Sequence, residues 1–144
     1  MKRFNNCSVS GKLELAITSA TLLLEEPSKL YNDLFYKNDW KYNSGSGIDV
    51  YKSIYKEKTP INVYIVSSKN TKAVAYFQNG NIYIYQSYLD YSSIGELIGT
   101  LLHEYAHYCG FNHNSSFGTS NFKTKAKCLY SVPYYLSENV ARWI

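Results

Sequence analysis

Three prolines and eight glycines in 144 residues are too few for collagen-like or low-complexity sequence. A hydrophobic content of 45% against 18% charged residues excludes a chain too polar to bury a core. No run approaches the roughly eighteen uninterrupted apolar residues that mark a membrane span. The longest candidate, Leu15 to Leu24, is broken by Thr18, Ser19 and Thr21, so no membrane insertion is expected. Met1-Lys2-Arg3 has the charge of a leader's first segment, but Asn5, Asn6, Ser8 and Ser10 stand where its apolar stretch would lie. That points to a cell-internal protein or one already relieved of a leader. Three cysteines, Cys7, Cys109 and Cys128, are too sparse, and odd in number, for a disulfide-stapled secreted domain. They favour a reducing, cytoplasmic setting. Methionine is absent after Met1.

The length is that of one domain, with no internal repeat and no linker beyond the short Asn43-Ser44-Gly45-Ser46-Gly47 segment. The net charge of +4 is spread along the chain, and its densest basic run, Lys123, Lys125 and Lys127, reads as a solvated loop. Nucleic acid is therefore not an expected partner.

From Leu13 to Glu25 the apolar residues Leu13, Ile17, Ala20 and Leu24 recur at helical spacing. Pro27 opens or kinks a further helix towards Asn38, and a short helix is expected from Ile48 to Tyr55. The β-branched and aromatic run Ile61 to Val66 reads as a central strand. Lys72 to Gln78 and Ile82 to Gln86 flank Asn79-Gly80, the pair best suited to the positive φ angles of a type I′ hairpin turn. Ser93 and Glu96 form a capping box, followed by a helix with Ile94, Leu97, Ile98, Leu101, Leu102 and Tyr105 on one face and its end near Gly110. The expected fold is α+β or α/β, with three or more helices on a small mixed sheet.

The chain's three histidines fall together in His103-Glu104-Tyr105-Ala106-His107-Tyr108-Cys109-Gly110-Phe111-Asn112-His113. His103 and His107 are one helical turn apart on the same side, so both rings can reach one metal ion. Glu104 is rotated about 100° from His103, outside the ligand shell but within reach of a metal's water, the position of a general base. Gly110 can adopt the left-handed conformation that stops a helix, letting the chain turn back and present His113 as a third ligand. Three imidazoles leave one tetrahedral place for water, the mark of a catalytic zinc site. Cys109, about 200° round the helix from His107, points away from such a site. At average residue frequencies this pattern arises by chance in a chain of this length on the order of once in 10⁵.

His-Glu-x-x-His-x-x-Gly-x-x-His is the metzincin signature, and the chain resembles the metzincin zinc peptidases through it. The resemblance implies one Zn²⁺ per chain on His103, His107 and His113, with Glu104 as general base and proton shuttle. It also implies a mostly parallel, twisted sheet above the active-site helix, with an antiparallel edge strand that holds an extended peptide. Lys72 to Gln78 would be that edge, and Ile82 to Gln86 an inner, parallel strand. Metzincins place a methionine in a tight turn beneath the zinc; Ser131-Val132-Pro133-Tyr134-Tyr135 has the form of that turn with Pro133 in methionine's place. By the same resemblance Tyr135 would lie near the zinc and stabilise the transition state, and Cys128 would lie close enough to Cys109 for a bridge.

The expected activity is zinc-dependent peptide-bond hydrolysis, with endopeptidase action favoured by the resemblance and by the open edge strand. Within zinc enzymes the alternative third ligand is Glu138, and Cys7 is a remote candidate for an inhibitory thiolate. A different reading is a metal-dependent module that binds a partner's extended segment along Lys72 to Gln78 without turnover.

Overall fold

The computed structural model describes residues 3–8, 10–25, 56, 59–67 and 74–110. Four strands and three helices lie within them: β1 (Phe4–Asn6), α1 (Gly11–Glu25), β2 (Ile61–Val66), β3 (Ala75–Gln78), β4 (Asn81–Tyr85), α2 (Gln86–Tyr91) and α3 (Ile94–Tyr108). The strands form one mixed sheet in the order β1-β2-β4-β3. β1 and β4 run parallel to β2, and β3 runs antiparallel to β4 at the sheet's end. This is a small α+β arrangement, with Ile61 to Val66 an inner strand and the hairpin's first arm an edge.

The pleat gives the sheet two unlike faces. Phe4, Ile61, Val63, Ile82 and Ile84 lie on one face and are buried with Leu13, Ile17, Ala20 and Leu24 of α1 and Leu97, Ile98, Leu101 and Leu102 of α3. α1 and α3 also pack against each other. The other face carries neutral polar side chains in cross-strand rows. Asn5, Asn62, Asn81 and Gln78 stand in register across all four strands, and Tyr64, Tyr83 and Tyr76 across three. Asn5 donates to Asn62 at 3.0 Å, and Tyr83 stacks on Tyr64 and Tyr76 with ring centroids 5.5 and 4.9 Å apart. Such opposed pairs stabilise a sheet face that no described helix covers.

Several boundaries differ from the sequence expectation. α1 begins at Gly11 rather than Leu13, because the Ser10 hydroxyl accepts from the Leu13 N–H at 3.2 Å and the Ser10 carbonyl from the Glu14 N–H. The edge strand is described over Ala75–Gln78, and the Val74 carbonyl accepts from the Tyr85 N–H; the expected start at Lys72 lies outside the described residues. β4 starts at Asn81 and stops at Tyr85; Gln86 opens α2 instead of ending the strand, its side-chain amide donating to Asp90 one turn on at 2.8 Å. The turn has the expected form, with φ of 51° at Asn79 and 78° at Gly80. β1 was not expected from its residues. The helices expected over 27–38 and 48–55 lie outside the described residues. No described helix is long and apolar enough to cross a membrane.

Candidate metal centre

α3 is fixed at its start by local chemistry. The Ser93 hydroxyl accepts from the Glu96 N–H at 3.1 Å, and the Glu96 carboxylate accepts from the Ser93 N–H at 3.0 Å. The helix ends as expected: the Cys109 N–H reaches the Tyr105 carbonyl, the Gly110 N–H reaches the His107 carbonyl, and Gly110 has φ 96°. That left-handed residue redirects the chain just after the second histidine.

His103 and His107 are half-buried on one side of the last two turns, with ring centroids 5.1 Å apart and planes at 70°. Two imidazoles that share one tetrahedral zinc at ordinary Zn–N distances have centroids about 5 Å apart. The pair is therefore spaced as shared coordination requires. Neutral imidazole is also the donor type that zinc accepts most readily beside thiolate. Among the described residues, no group of three His, Cys, Asp or Glu is assembled for a metal. His113, the expected third ligand, lies outside the described residues. So do Tyr135, Cys128, Pro133, the alternative ligand Glu138 and the lysines at 123, 125 and 127.

Glu104 lies between the histidines in sequence and is 8% exposed. Burial pushes its carboxyl up to about 7, and no charge or hydrogen bond among the described residues offsets that loss of solvent. An i, i+4 pair of imidazoles at this spacing is donor chemistry that a divalent cation such as zinc would complement, so these two residues fit zinc. Cys109 packs against the core at the helix end, and Cys7 is exposed beyond β1 at the far edge of the sheet. Cys7 is not among any group of metal donors within the described residues.

The opposite side of the same turns is held by contacts that sequence reasoning missed. Tyr105 is fully buried and its hydroxyl accepts from Arg3 Nη1 at 2.7 Å. Arg3 is 1% exposed and its Nε also donates to the Glu25 carboxylate. Both contacts offset the penalty of burial and hold the guanidinium pKa above its ordinary value.

A cleft of about 440 Å³ lies at the carboxyl ends of the parallel strands, away from the histidines. Its polar groups are engaged structurally: the Ser8 hydroxyl accepts from the Ile65 N–H, Ser10 caps α1, and Lys12 donates to the Leu89 and Ser92 carbonyls. Comparisons with family models, with curated proteins and with solved structures give no match to this chain.

Proposed function

We propose that this chain is a zinc-dependent peptidase of metzincin-like type, in which His103, His107 and His113 hold the ion and Glu104 is the general base. The observation that carries the reading is the half-buried His103 and His107 pair at shared-ligand spacing, with the buried Glu104 next to His103 in the sequence of a helix that Gly110 terminates. The sheet supports it too, since an antiparallel edge strand flanks a parallel core on the face that packs α3.

Zinc bound by these imidazoles supplies Lewis acidity, which makes a water acidic near neutral pH and polarises a carbonyl. The protein's own part is positional and protonic. His103 and His107 are fixed to one helix and cannot move independently. Glu104 takes a proton from the attacking water and returns it to the departing amine nitrogen. Among the described residues β3 bonds β4 on one side only, so its other backbone edge is the place for an extended peptide to align. Tyr135 takes the transition-state role that the metzincin resemblance gives it.

The test is elemental analysis of the purified protein together with digestion of a peptide library by wild type and Glu104→Gln. One zinc per chain in both, with cleavage only by wild type, is the expected result. Zinc in both with no cleavage by wild type would favour the metal-dependent binding module, and no zinc would end both readings.

A further inference from the structure

Tyr105 stands two residues from each histidine, so its side chain leaves α3 about 200° round the helix from theirs. It points into the core, where its ring meets Phe4 at 5.3 Å and Tyr108 at 5.8 Å between centroids. Its hydroxyl is held by Arg3, whose guanidinium carbon also lies 5.8 Å from the ring centre. Arg3 is fixed in turn by the carboxylate of Glu25, the last residue of α1, and by its own carbonyl, which accepts from the Ile61 N–H at 3.0 Å. One buried arginine thus joins four elements: its guanidinium ties the start of β1 to the end of α1 and to the last turns of α3, and its backbone carbonyl ties it to the start of β2.

Burying an ion pair is costly, and apolar residues of similar volume commonly stabilise a fold as well or better. What a charged, forked donor adds is direction. Apolar packing tolerates small rotations of a helix, whereas a hydrogen bond weakens steeply off its axis. Rotation matters here because the imidazole nitrogens stand roughly 6 Å from the helix axis, so 5° moves them about 0.5 Å. Metal sites tolerate displacements of only about 0.2 Å. His103 and His107 would move together on the helix, but any ligand beyond Gly110 would not move with them.

We propose that Arg3, braced by Glu25, is a positioning residue for the metal centre: through the Tyr105 hydroxyl it sets the rotation of the last two turns of α3, and so the direction in which His103 and His107 present their rings. This rests on the zinc reading above.

The test uses the full chain and Co²⁺ as a spectroscopic probe for the zinc site. Co²⁺ affinity and visible absorption are measured for wild type, Tyr105→Phe, Arg3→Met and the double variant, with melting temperature in parallel. Ile17→Val serves as a control that loosens the core elsewhere. Tyr105→Phe and Arg3→Met are each expected to weaken Co²⁺ binding about five- to tenfold, less than loss of a direct partner of a ligand does, and to shift the absorption bands. The double variant is expected to be no weaker than either single variant, because both remove the same bond. Ile17→Val is expected to lower the melting temperature and leave the Co²⁺ titration unchanged. If Arg3→Met does not fold, Tyr105→Phe carries the test alone. Lowered melting temperatures with unchanged affinity and spectra would overturn the positioning role while leaving the zinc reading intact. Failure of wild type itself to take up Co²⁺ would overturn the zinc reading, and the positioning role with it.

Discussion

Glu96 and Glu104 occupy opposite ends of one helix and opposite chemical environments. Glu96 is exposed, and the Ser93 backbone N–H, then the Ser93 side chain, hold its carboxyl below the ordinary value. Glu104 is buried, and desolvation alone lifts its carboxyl to about 7. The first carboxyl stabilises α3 by accepting from the Ser93 N–H, its half of the capping box. The second destabilises the metal-free fold whenever it is ionised. A helix that closes a capping box at its start and leaves a carboxyl without a described partner near its end is divided between a structural end and a chemical one.

Glu104→Gln breaks this contrast most severely. It keeps the shape and removes the base, so peptide cleavage is expected to fall by about 10²–10⁴-fold in a library digest with the zinc content unchanged. Metal-free Glu104→Gln is also expected to melt at a higher temperature than metal-free wild type at pH 8, because it removes a buried charge. His103→Ala or His107→Ala is the next largest change, lowering zinc to well below one per chain and abolishing the rise in melting temperature that added zinc gives wild type.

The two carboxyls should also give opposite pH slopes. The folded state of metal-free protein raises the Glu104 pKa above the ordinary 4.5, so it favours the protonated form. That contribution is complete below about pH 4.5 and is lost as pH rises through about 7, an order-of-magnitude ceiling of about 3 kcal/mol. Denaturant unfolding of the metal-free protein between pH 4 and 8 should show the fall, and Glu104→Gln should remove it. Glu96 acts the other way: its lowered pKa stabilises the fold above the ordinary carboxyl range and loses that effect as pH falls. Ser93→Ala, which removes half of the capping box, is the smallest change. It is expected to cost about 1 kcal/mol in equilibrium unfolding and to leave cleavage by the zinc-loaded protein unchanged.

What could be read from the sequence was local. Asn79-Gly80 dictates its turn, Ser93 and Glu96 dictate the helix start, and the i, i+4 spacing of His103 and His107 puts the two rings on one side whatever surrounds them. Ile61 to Val66 is apolar and β-branched enough to declare an inner strand. β1 was not legible because Phe4-Asn5-Asn6 is too short for a period and becomes a strand only by pairing with β2. α2 was not legible either, since Tyr85 offers no side-chain cap and the alternating run before it continues into Gln86. The Arg3, Glu25 and Tyr105 tie joins residues 22 and 102 positions apart, and Arg3 at the sequence level looked like leader charge. The burial of Glu104 went unread although it falls on the stripe of Leu97, Leu101 and Tyr105, because a charged residue at such a position is ordinarily placed in solvent.

Whether the histidine cluster holds zinc can be measured outright by elemental analysis of protein purified without added metal and dialysed against a metal-free buffer. One zinc per chain in wild type, lost in His103→Ala, is the expected result. Zinc far below one per chain in wild type, or a full complement retained by His103→Ala, would contradict it.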